Sequence, residues 1–126
     1  MLLEYLTVYA IGALGYGLME LLYRGFTHWT MLLAGGFCFT GLYLIVNAGR
    51  FPLWAQCVLG ALLITAVELL TGLLVNVALK WNVWDYSSAP LQLLGQICLP
   101  FSLLWLALCL PASYLCRGLH RLFTFT

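Results

Sequence analysis

Glu68 sits near the middle of an apolar run from about Leu53 to Leu79, a stretch long enough to cross a bilayer. An ionised side chain at that depth costs at least about 2–3 kcal/mol, so it must face protein or water and not lipid. On a helix that advances about 100° per residue, Ala61, Thr65, Glu68, Gly72 and Asn76 fall within an arc of about 80°. The rest of the run is mostly Leu, Val and Ile. A carboxylate at depth, flanked by a hydroxyl and an amide, is suited to holding a cation and to exchanging it for a proton.

A second group lies toward one end of the same run. The segments after the first and third apolar runs share a side of the membrane, which brings Glu20, Arg24, Lys80 and Asp85 to one face. Asn76 is about one turn inside that face, and Glu68 is about 18 Å below Lys80. The segment Trp84-Asp85-Tyr86-Ser87-Ser88-Ala89-Pro90 is dense in aromatic rings and hydrogen-bonding groups and is expected to form a lid over the bundle mouth beside Arg24. Acid plus aromatic ring is a recurring way to hold a cation. The candidate binding residues are therefore Glu68, Thr65 and Asn76 at depth, Tyr16 and Asn47 on neighbouring faces, and Glu20, Arg24, Trp84, Asp85 and Tyr86 at the mouth. A plainer reading of the same residues is structural. Glu68 would bond to tyrosines or to Arg24, Glu20 and Arg24 would form a pair one turn apart, and Asp85 would cap a turn.

The composition dictates the elements that position these groups. The chain has 126 residues, of which 64% are hydrophobic and 7% charged, with mean hydropathy +1.03. Too few polar residues are available to cover a soluble surface, so an all-α polytopic membrane protein is expected. Its single transmembrane domain comprises a four-transmembrane-helix bundle, with spans over about 2–22, 31–48, 53–79 and 94–115 and a short aromatic cap between helices 3 and 4. The first run lacks a basic leader and is long enough to span, so no cleaved signal is expected.

Each span carries one narrow stripe of polar or small residues. In the first, Tyr5, Tyr9, Gly12, Tyr16, Met19, Glu20 and Tyr23 lie within about 100°, with Ala13 and Gly17 beside them. Gly36, Thr40, Tyr43 and Asn47 share a face of the second. In the fourth, Gly95, Cys98, Ser102, Trp105, Cys109, Ser113 and Cys116 fall within about 80°, and Pro100 and Pro111 lie inside the span on the other side. The tail from Arg117 is expected to be a short basic amphipathic end lying on a membrane face, and His28 and His120 are expected at the interfaces.

Several functions are disfavoured. The net charge of +1 gives no basic patch for nucleic acid. No motif of the HExxH, GxSxG or GxxxxGK[ST] type occurs, so enzymatic activity and unaided ATP hydrolysis are not expected, and nothing calls for a cofactor. The five cysteines lack metal-ligand spacing and are expected to be reduced, buried thiols packing as small hydrophobes. Arg50, Arg117 and Arg121 on one side face Arg24 and Lys80 on the other, a small bias toward a cytoplasmic tail.

The ordered set Gly15-Tyr16-Gly17-Leu18-Met19-Glu20, Arg24-Gly25-Phe26, Thr65-Ala66-Val67-Glu68-Leu69-Leu70-Thr71-Gly72, Trp84-Asp85-Tyr86-Ser87, Gly95-Gln96-Ile97-Cys98-Leu99 and Ser102-Leu103-Leu104-Trp105 resembles the bacterial "putative ABC transporter type IV" family of small permease-like membrane proteins. Members often read Phe-Asn and then Gly-Arg-Ile-Cys-Leu where this chain has Leu91-Gln92 and Gly95-Gln96, so a cationic position is neutral here. The resemblance implies a multi-pass protein of a bacterial cell membrane, with a partner ATPase encoded elsewhere. Together with the Glu68 stripe, it leads to the expectation of a transport or channel component for a small polar or cationic solute. The alternatives are an accessory or scaffold subunit that uses its stripes to pack, and, more remotely, a membrane enzyme acting at the Trp84-Asp85-Tyr86 cap. So small a bundle leaves a narrow interior, so a homodimer is expected, parallel or with oppositely inserted copies.

Overall fold

Among the described residues, four helices long and apolar enough to cross a membrane follow the four apolar runs. The computed structural model describes residues 2–25, 28–80, 92–93 and 97–125, and for residues 23, 24, 92, 93, 98 and 125 it describes the backbone alone. The expected cap over 81–90, with Trp84, Asp85 and Tyr86, lies outside the described residues, as does the side chain of Arg24.

Helix α1, Leu2–Arg24, stops at Gly25. That residue adopts φ +79°, and its N–H donates to the Leu21 carbonyl at 3.0 Å, a left-handed glycine stop. Helix α2, Trp29–Asn47, is capped by His28, whose Nδ1 accepts from the Thr30 N–H at 3.3 Å. Gly49, at φ +74°, turns the following link, and Pro52 precedes α3, Leu53–Gly72. The expected third span is not α-helical throughout. Its last part, Leu73–Ala78, is a π-helical segment, and the Leu79 N–H donates to the carbonyl of Leu74, five residues back, at 2.9 Å. Lys80 then ends the element in a left-handed conformation at φ 57°.

The fourth span is displaced toward the C-terminus from the expected 94–115. Helix α4 runs Leu99–Phe125. Gln92–Leu93 (β1) and Ile97–Cys98 (β2) form a minimal antiparallel ladder in the register Gln92↔Cys98 and Leu93↔Ile97, so Ile97 and Cys98 pair outside the helix. Pro100 is accordingly the second residue of α4 and not an interior one, a position where a missing N–H costs nothing. Pro111 remains inside the helix. The basic tail also differs from the expectation of a separate segment on the membrane face. It continues α4, because Leu119 extends the inward stripe and packs against the core.

The inward faces are those the stripes indicate. Gly12, Gly36, Tyr43, Ala61, Glu68, Gly72, Trp105, Cys109, Ser113 and Cys116 are all buried, whereas Leu14, Leu62, Leu70 and Leu103 are exposed on the lipid side. Helix α2 packs against each of the other three, and α3 packs on α4. Glycines set the α1–α2 approach. A Cβ at Gly12 would collide with Cβ of Phe39, and one at Gly35 would lie 2.6 Å from Cβ of Tyr16. Toward the end holding the N-terminus and the tail the interior is filled by Val8, Leu42, Tyr43, Val46, Cys57, Cys109 and Cys116. Of the free thiols among the described residues, Cys57, Cys109 and Cys116 are buried as expected, whereas Cys38 is half-buried. Toward the Lys80 end a smaller buried cluster is formed by Met31 and Val75, with Tyr16 packed against it.

Candidate functional site

Glu68 is 7% exposed and contributes to the wall of a cavity of about 360 Å³ bounded by all four helices. Helix α1 supplies Tyr16 and Met19, α2 supplies Met31 and Cys38, α3 supplies Glu68 and Thr71, and α4 supplies Trp105 and Leu108. Most of the remaining wall is aliphatic, including Ile11, Leu42, Ile64 and Val67. The rings of Tyr16 and Trp105 lie 6.0 Å apart at 36° and carry α1 across to α4. Trp105 is itself buried, and its indole N–H finds no hydrogen-bond partner among the described residues.

The structure brings together part of the expected site. Glu68 and Tyr16 share the cavity. Glu20 joins it indirectly, because the Tyr16 hydroxyl donates to Glu20 Oε1 at 2.8 Å, one turn closer to the Lys80 face. Thr65 does not line the cavity; its Oγ1 meets Ser102 Oγ at 3.3 Å and ties α3 to α4. Asn76 lies half-buried in the π-helical segment, away from the cavity wall. Asn47 is at the opposite end of the bundle, where its Nδ2 donates to the carbonyls of Tyr43 at 3.0 Å and Cys116 at 3.3 Å and pins the end of α2 to α4.

Sequence reasoning missed two features. The first is the contribution of Trp105, Cys38, Met31 and Thr71 to the cavity. Trp105 lay on the inward arc of its span, which was the available signal. The second is a polar cluster at the tail end. Tyr43 donates its hydroxyl to Glu4 and stands 3.2 Å from His120 Nδ1, and His120 Nδ1 is 3.4 Å from Glu4 Oε1. Nearby, Arg117 donates to Gln56 Oε1 at 3.4 Å and lies over the Tyr114 ring. The helix count placed Glu4 and His120 on one membrane side, but not within reach of one hydroxyl. Among the described residues, no group of three or more His, Cys, Asp or Glu side chains could hold a metal ion.

Among the described residues, four membrane-length helices thus surround a cavity lined in part by the buried Glu68. The family described as "Putative ABC-transporter type IV" matches residues 7–124. The chain belongs to that family. No curated protein and no solved structure matches it. As a type IV ABC-transporter family member with four spanning helices, it is a multi-pass membrane protein related to transport. The match covers both the α1 stripe that carries Tyr16 and the α3 stretch that carries Glu68.

Proposed function

We propose that this chain is a transport or channel component whose solute site is the cavity at Glu68, and that the solute is small and polar or cationic. The carrying observation is the carboxyl of Glu68, 7% exposed, on the wall of a cavity of about 360 Å³ at membrane depth. A carboxyl held at that depth is costly, and a carboxyl used only for packing has no need of an adjoining cavity. The scaffold reading, in which the stripes serve only to pack, would be favoured by a bundle filled along its whole length. Here a cavity walled by all four helices borders both buried clusters, one toward the tail end and a smaller one at Met31 and Val75.

In this reading the chain carries no catalysis of its own. It acts in a bacterial cell membrane, works as a homodimer, and depends on a separate ATP-hydrolysing partner because its sequence has no phosphate-binding loop. The test is a thermal-shift screen of the purified protein against a broad solute and ion library, with Glu68→Gln as the nearly isosteric control. Ligands that stabilise the parent should lose that stabilisation in the variant. Equal protection of both proteins by every active ligand would refute the site.

A further inference from the structure

We infer that the ligand of the Glu68 cavity is an organic cation with an apolar body, and that it reaches the cavity sideways from the bilayer through a mouth between α1 and α4. The inference rests on the proposed function and narrows its substrate class.

Two observations set the ligand chemistry. Glu68 offers a carboxyl, and Tyr16 and Trp105, whose rings lie 6.0 Å apart, add two aromatic rings to the lining of the same cavity. Together they favour positive charge. The aliphatic side chains that make up most of the rest of the wall give a small hydrated solute few hydrogen bonds in return for its lost water. A cation whose bulk is hydrocarbon or aromatic satisfies both demands, and the cavity is within the range of about 300–1,000 Å³ that holds drug-sized ligands.

The route follows from exposure. Gly15 and Met19 on α1 and Pro111 and Leu115 on α4 all line the cavity, yet they are also on the outer surface of the bundle. Met19 is 44% and Leu115 48% exposed. A Cβ built at Gly15 meets nothing within 4 Å, so the space there is open. Gly15 and Pro111 lie well inside the spans Leu2–Leu22 and Leu99–Thr124, where the medium outside is lipid, with Met19 and Leu115 nearer opposite ends of the bundle. An apolar cation already partitioned into the membrane meets this mouth directly.

The test measures binding of radiolabelled methyltriphenylphosphonium to the full-length protein in lipid nanodiscs. The competitors are triphenylphosphine oxide, a neutral molecule of nearly the same shape, and tetramethylammonium, a cation without the apolar body. Methyltriphenylphosphonium should bind saturably, and each competitor should be at least about tenfold weaker. Glu68→Gln should weaken binding about tenfold or more, and Gly15→Leu, which narrows the mouth away from the carboxyl, about fivefold. Should Glu68→Gln fail to fold, the comparison of charged and neutral ligands on the parent still decides the point. Equal competition by triphenylphosphine oxide overturns the charge requirement. Tight, Glu68-dependent binding of tetramethylammonium with none of the phosphonium would overturn the substrate class while leaving the Glu68 site standing. Probe binding that Glu68→Gln leaves unchanged removes both. A disulfide between the Met19→Cys side chains of two neighbouring chains in native membranes would place a second copy over the mouth and overturn lateral access.

Discussion

The Tyr43 hydroxyl serves two partners, Glu4 and His120, across three helices. The side chain is nearly fully buried, so its removal leaves a carboxylate and an imidazole short of a partner at the tail end of the bundle. Tyr43→Phe is expected to lower stability by about 1–3 kcal/mol. A fall in the thermal unfolding midpoint in detergent would register it, and an unchanged midpoint would mean the cluster contributes nothing. Trp105 allows a sharper comparison. Its N–H has no partner among the described residues, so its contribution is the ring packed against Tyr16. Trp105→Phe should therefore unfold close to the parent, while Trp105→Ala, which enlarges the cavity and removes the ring contact, should cost about 3 kcal/mol. Equal losses in the two variants would show that the indole N–H matters after all.

Helices α1 and α2 approach each other where glycines leave room, and the approach is rigid because backbone-proximal atoms occupy the space. A Cβ at Gly12 would strike Cβ of Phe39, an atom that cannot swing aside, whereas one at Gly15, a single turn along α1, meets nothing. Gly12→Ala should force the pair apart at a cost of about 1–3 kcal/mol. Gly15→Ala should be neutral or stabilise by about 0.5–1 kcal/mol, through reduced freedom of the unfolded chain. Unfolding by SDS titration of the two variants side by side gives the comparison, and similar midpoints would contradict the close packing. These glycines also bear on the expected homodimer. Gly12, Gly17, Gly35 and Gly36 approach side chains of this chain's own α1 and α2, so a homodimer would have to use other faces.

At the scale of the molecule, orientation rests on few charges. Helix α4, Leu99–Phe125, is about 40 Å long, against about 30 Å of hydrocarbon, so its last turns with Arg117, His120 and Arg121 emerge at the membrane surface. Arg50, Arg117 and Arg121 on that side face Arg24 and Lys80 on the other. Removing Arg117 and Arg121 together reverses the imbalance. The double variant Arg117→Ala, Arg121→Ala is expected to place a substantial fraction of tails on the opposite side, read by accessibility of a C-terminal tag from each face of the membrane. A tail that stays wholly on its original side would show that other features fix the orientation.

The sequence by itself determined that four helices cross a membrane and which face of each turns inward. Those properties follow from hydrophobic length and from a period of about 3.6 residues, and both are local. It also located Glu68, because the cost of a carboxylate at depth does not depend on what surrounds it. Tertiary structure decided which polar residues meet. Thr65 shares the Glu68 arc, yet bonds to Ser102 across the α3–α4 contact. Asn76 enters a π-helical segment, whose changed period moves side chains off an arc drawn for an α-helix. The start of α4 likewise depended on pairing between Gln92–Leu93 and Ile97–Cys98, which composition does not report. The cavity depended on how far the helices stand apart. Glycines draw α1 onto α2, and α1 reaches α4 through the long side chains of Tyr16 and Trp105. A stripe shows that a face is buried; the separation of the elements it meets decides whether that face closes on a neighbour or borders a space.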